Sequence, residues 1–204
     1  MSGIDLQKIQ KLLREKKYSK IIFEIEGLTL EKNRPASLHN LLGVCRASQK
    51  GRTEEDVQYA LNDFEAAFYK DNLGQISLDA LCSHITLCAE MGRRESDLVN
   101  NMIKSEKMYL EAEKKFSKNE QYIGFGLDLY KYLLKHKERI SKLEEMISLK
   151  DLNKLYGKIY INSQMYLSNW EQKDFGEFQK KFSKIFNVYN AKKVSKVDIG
   201  KKKN

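Results

Sequence analysis

Three histidines and three cysteines are the side chains best suited to nucleophilic or metal chemistry in this sequence. His84 and Cys88 stand four residues apart, which places both on one face of a helix and allows a thiol–imidazole pair. The packed-helix reading of the same spacing is the expected one. His39, His84 and His136 fall on three separate predicted helices with no HExxH or HxH spacing. Cys82 and Cys88 are six apart, which fits neither a CxxC redox motif nor a zinc knuckle. Glu54-Glu55-Asp56 and Glu144-Glu145 read as helix starts or solvated faces rather than paired acids. Gly124-Phe125-Gly126 lacks the rest of a phosphate-cradling loop. No catalytic residue, metal site or cofactor is therefore expected in these residues.

The elements that hold these side chains are read as all-α. One proline in 204 residues leaves long helices uninterrupted, because proline removes a helix donor and clashes with the preceding turn. Apolar residues recur at helical spacing almost throughout, and only residues 194–199 hint at extension. Helices are predicted over residues 5–14, 18–28 and onward to the break at Asn33-Arg34-Pro35, then 36–48, 54–70, 76–91, 95–117, 121–136, 138–148, 151–168 and 171–187. Thr53 followed by Asp56 offers a cap for the fourth, and Asp71-Asn72-Leu73-Gly74 breaks it. These lengths and short breaks predict antiparallel hairpins, about ten helices in all. Cys45, Cys82 and Cys88 lie inside the apolar patterns and read as buried free thiols of a reducing cytoplasm.

Charge is uneven along the chain. Residues 1–100 hold 14 Lys+Arg against 15 Asp+Glu, whereas the overall net charge is +9. Six lysines fall within residues 192–204 against the single Asp198, so much of the excess sits in a basic tail. Such a tail can touch nucleic acid or acidic lipid, but without arginine clusters nucleic acid is not the expected partner. No apolar run is long enough to span a bilayer, and the first residues carry no signal-peptide pattern. A cytoplasmic protein is expected.

A repeat is visible from Ala36. Leu42-Gly43 in one helix is followed by Ala60, Phe64 and Ala67 in the next, with Asn72 closing the unit. Small residues let two helices approach, and large ones fill the space between hairpins. Residues 36–72 thereby resemble a tetratricopeptide repeat (TPR), with about five extra residues around positions 51–57. Lys16-Lys17-Tyr18 onward is similar to the second half of an earlier repeat. Residues 75–118 form a looser copy with Ala89, Gly92 and Ala112 in plausible places. The resemblance implies a right-handed, TPR-like α-solenoid over residues 1–118, a helical extension or cap over 119–190, and a basic tail or linker over 191–204. The box Trp170, Asp174 and Phe175 is similar to one that follows the repeats of O-GlcNAc-transferase-like glycosyltransferases. It serves equally as a packing anchor beside Phe178, Phe182, Ile185 and Phe186.

In TPR arrays the first helix of each pair lines the concave face. This register puts Ser37, Asn40, Val44 and Ala47 on a peptide-binding groove, where the Asn40 amide can both donate to and accept from a bound backbone. Tyr122, Tyr130, Tyr132, Tyr156, Tyr160 and Tyr166 are expected to pack between helices; an aromatic-lined groove is the alternative. The expected function is a non-catalytic scaffold for a protein or peptide partner, compatible with a homodimer. The alternatives are a substrate-recruiting region of a glycosyltransferase and a basic helical protein that binds nucleic acid.

Overall fold

The computed structural model of the chain describes residues 4–90 and 95–137. The first helix, α1 (Leu6–Arg14), begins at Asp5, whose carboxylate accepts from the N–H groups of Gln7 and Lys8 at 3.0 and 3.1 Å. It buries Ile9 and Leu12. Its end is a left-handed turn at Lys16 (φ 54°), where the N–H of Lys17 reaches back to the carbonyl of Leu12 and that of Lys16 to Leu13. The next helix, α2 (Tyr18–Leu28), buries Ile21 and Ile25 on the same core.

That second helix stops at Leu28, five residues before the expected Asn33 break. Thr29 turns extended and its hydroxyl donates back to the Ile25 carbonyl at 2.6 Å, so the helix ends on a β-branched residue. A short 3-10 turn (Glu31–Asn33) follows. Its exposed carbonyls are collected by the Lys70 ammonium, which donates to Arg34 O at 2.8 Å and to Glu31 O and Lys32 O at 3.4 Å. Pro35 then caps α3 (Ala36–Ala47) from outside the helix.

The fourth helix, α4 (Glu54–Lys70), opens with the reciprocal cap that the sequence indicates. Thr53 Oγ1 accepts from Asp56 N–H at 3.1 Å, and the Asp56 carboxylate accepts from Thr53 N–H at 2.8 Å. These backbone and side-chain bonds from Thr53 hold the Asp56 carboxyl below the usual carboxylate range. The acids Glu54, Glu55 and Asp56 thus occupy a first turn, where the helix dipole favours them. Asn72 and Leu73 are both left-handed (φ 49° and 63°), which reverses the chain into α5 (Gln75–Glu90). The remaining helices are α6 (Glu95–Phe116) and α7 (Glu120–Lys137).

Seven α-helices and no strand are present among the described residues. The expected helices over 138–148, 151–168 and 171–187 lie outside the described residues, as do the Trp170 box, Tyr156, Tyr160, Tyr166 and the basic tail. Each helix packs on the next. In addition α3 packs on α5, α5 on α7, and α4 on α6. The core is divided in two: Ile9, Leu12, Ile21, Ile25, Leu42 and Cys45 join α1, α2 and α3. A larger cluster centred on Phe64, Phe68, Leu81, Met108, Tyr122 and Ile123 joins α4 through α7. The two meet where Gly43 lies against the Phe64 ring, so close that a Cβ there would stand 2.6 Å from Phe64 Cε1. Among the described residues no helix is long and apolar enough to cross a membrane.

Candidate functional site

Because α5 touches both α3 and α7 as well as its chain neighbours, the three alternate helices lie side by side. An open pocket of about 410 Å³ lies among them. Val44 and Ala47 supply the α3 wall, Cys82, Ser83, Thr86 and Leu87 the α5 wall, and Gln121 and Phe125 the α7 wall. Arg52, whose guanidinium donates to the Ala47 carbonyl, and Asp79 also line it. An apolar floor with a few polar groups on the rim is the ordinary chemistry of a site that takes a side chain from a ligand.

Two of the four residues expected on a groove, Val44 and Ala47, line this pocket. Ser37 and Asn40 sit nearer the start of α3 and are not among its lining residues. Ser37 is exposed. Asn40 is half-buried, and its side-chain oxygen is enclosed without a hydrogen-bond donor. Phe125 and Gln121 join the pocket through α7, a helix for which the sequence offered no repeat register. Their signal was only the apolar spacing of Tyr122, Ile123 and Leu129 on the packed face, which leaves Gln121 and Phe125 on its margin.

His84 and Cys88 do meet, with Nδ1 and Sγ 3.6 Å apart, and Ser105 of α6 completes a trio at 2.8 Å from His84 Nδ1. All three are buried. Burial, aided by the charge of Lys104, holds the His84 imidazole down at about 3, and burial pushes the Cys88 thiol up to about 12. At neutral pH the pair is therefore a neutral ring beside a neutral thiol, and no thiolate is available for attack. Cys45 and Cys82 are likewise buried, free and raised, to about 11 and 12. The side chain of His136, in α7, is outside the described ones. No group of three metal-ligating side chains is found among the described residues.

The buried His84 makes stability depend on acid. Its folded value lies below the ordinary 6.5, so between pH 6.5 and about 3 the unfolded chain holds a proton that the folded chain refuses. Stability is full above that window and falls as pH drops through it. At pH 5 the loss from this group is about 2 kcal/mol relative to neutral pH. Urea unfolding at both pH values, in the native chain and in His84→Gln, measures it. An unchanged pH dependence in the variant would assign the effect elsewhere.

A second polar cluster was not visible as a unit in the sequence. His39 Nδ1 lies 2.9 Å from one Asp63 oxygen, and the Arg46 guanidinium donates to the other oxygen and to Glu26. Arg46 also stacks over the Tyr59 ring at 5.4 Å. Burial, with Lys70 and Arg34 nearby, keeps the His39 imidazole below its ordinary value, so the neutral ring carries its proton on Nδ1 and donates it to the carboxylate. The one clue in the sequence is Asp63 inside the buried stripe of Ala60, Phe64 and Ala67, where an acid requires a partner. The cluster ties α2, α3 and α4 together, with His39 and Asp63 buried at its centre.

Tyr122 is a core residue, as expected. It stacks on Tyr109 with ring centroids 4.1 Å apart and donates to the Tyr109 carbonyl at 2.8 Å. Comparison of the chain with family models, curated proteins and solved structures returned no match. The functional reading therefore stands on the pocket between α3, α5 and α7.

Proposed function

We propose that the chain is a helical-repeat scaffold that binds a polypeptide along the face of α3, α5 and α7. The observation that carries this reading is the open, apolar-floored pocket into which three alternate helices each contribute side chains. Alternate packing of α3 on α5, α5 on α7 and α4 on α6 supports a stack of antiparallel hairpins in the manner of a TPR-like solenoid. In such a stack a partner segment follows the groove and seats one apolar side chain between Val44, Leu87 and Phe125.

Site-directed photo-crosslinking tests it. A crosslinking residue at Val44 or at Gln121 is expected to capture a common polypeptide, and one at Tyr69, exposed on α4, is not. Val44→Glu, at a position already 38% exposed, is expected to fold normally and weaken retention of that polypeptide at least about tenfold. Equal capture from Tyr69, or undiminished retention by the Val44→Glu chain, would remove the groove reading. Asn40→Ala with full affinity would remove Asn40 alone from the site.

A further inference from the structure

We propose that a basic concavity adjoining the groove receives an acidic stretch of the same bound polypeptide. The assignment rests on the groove reading above and adds the chemistry of its ligand. The concavity, about 600 Å³, lies where the turn between α1 and α2 meets the turn after α3. Lys16, Lys17, Lys20 and Lys50 line it, and no carboxylate does. Lys17 is paired with Glu15 at 2.6 Å; Lys16, Lys20 and Lys50 have no ion pair among the described residues.

Four ammonium groups around one hollow repel each other, and a concave wall of low dielectric focuses their field outward. Glu15 registers that field at its edge. The hydrogen bond from Lys17, with the charges of Lys17, Lys11 and Lys20 behind it, holds its carboxyl below the usual range. The concentration is local: the first fifty residues hold ten Lys+Arg against five Asp+Glu, whereas the first hundred are nearly balanced. The start of α2 adds to it, because no side chain caps that end and no acid stands in its first turn.

Continuity with the groove decides the occupant. Ser48 lines both hollows, so a chain leaving the α3–α5–α7 face past Ser48 enters the lysine cluster directly. The groove itself carries one base and one acid, Arg52 and Asp79, and does not select for charge. The basic end supplies selection and direction. Lysines, as point charges without the arginine fork, and a single lining tyrosine suit carboxylates on a flexible chain better than stacked bases.

The test uses the full chain with a fluorescent oligoglutamate peptide, read by anisotropy at low ionic strength. Lys16→Gln/Lys20→Gln/Lys50→Gln is expected to weaken binding about tenfold. The matched triple Lys107→Gln/Lys114→Gln/Lys115→Gln on α6 is expected to change it by less than about twofold. Equal losses in the two triples, or no loss in the first, overturn the assignment. Tighter binding of an oligothymidylate of equal charge, abolished by the first triple, overturns it in favour of nucleic acid. The crosslinked polypeptide separates the two readings, since it alone is expected to use the apolar groove as well as the lysines. If the lysine triple releases the crosslinked polypeptide and Val44→Glu does not, the groove reading fails and the acidic-ligand assignment stands. The reverse result overturns the assignment and keeps the groove.

Discussion

Phe64→Ala is expected to lower the stability of the chain by about 4 kcal/mol, and Gly43→Ala by about 2 kcal/mol. Phe64 is 1% exposed at the junction of the two core clusters, so its removal leaves a cavity that α3, α5 and α6, packed around α4, close only in part. The glycine change runs against helix propensity, which alone would favour alanine by about 1 kcal/mol. Packing outweighs it. The new methyl would stand 2.6, 2.7 and 3.0 Å from three ring atoms of Phe64, a ring only 1% exposed, so helix and ring must shift apart to admit it. The two changes should not add. In the double variant the methyl occupies space that the ring has vacated, so the total is expected near 4 rather than 6 kcal/mol, a coupling of about 2 kcal/mol. Urea denaturation of the four chains closes the cycle. Additive losses would mean that Gly43 matters for the backbone of α3 and not for its approach to α4.

This same contact marks how far the sequence could be read. Leu42-Gly43 followed by Phe64 signals two helices at close range, because only a missing side chain explains glycine in a buried helix interior. Helix starts were legible for similar local reasons: Asp5 and Thr53 with Asp56 announce caps within three residues of the bonds they make. Where a decision lay in a single torsion it was not legible. Thr29 ends α2 by turning extended, and Lys16 takes a left-handed angle, although neither residue type demands it. Of the pocket between α3, α5 and α7, only the α3 wall followed from the sequence. Val44 and Ala47 followed from the register of one repeat, but Cys82, Leu87, Gln121 and Phe125 depend on how α5 and α7 lean on α3. Long-range pairing was the least legible. Nothing local joins His39 to an acid 24 residues away or His84 to a serine 21 residues away.

The Asp63 cluster carries the other large expected effect. Asp63→Ala is expected to cost about 3 to 5 kcal/mol, since it strips a buried guanidinium of its carboxylate and leaves His39 Nδ1–H without an acceptor. Glu26 still holds Arg46, but Glu26 is 42% exposed and its hold is screened by solvent. Arg46→Met separates charge from packing, because its side chain keeps the volume beneath Tyr59 and removes the cation. The Asp63 carboxylate then faces only His39, and the ring becomes the nearest source of compensating charge. Its folded value is expected to rise above the ordinary 6.5, reversing the direction it has in the native chain. The sign follows from which state holds the proton. A raised folded value means that protonation stabilises the fold below pH 6.5, and that the benefit is lost as pH rises through the new value. The penalty of Arg46→Met, measured against the native chain by urea unfolding, should therefore be largest at pH 8 and shrink at pH 6. An NMR titration of the His39 ring should show the matching upward shift. A penalty that is the same at both pH values would show that His39 stays neutral beside an uncompensated Asp63, and that Arg46 and Asp63 act as a pair to which the ring only donates.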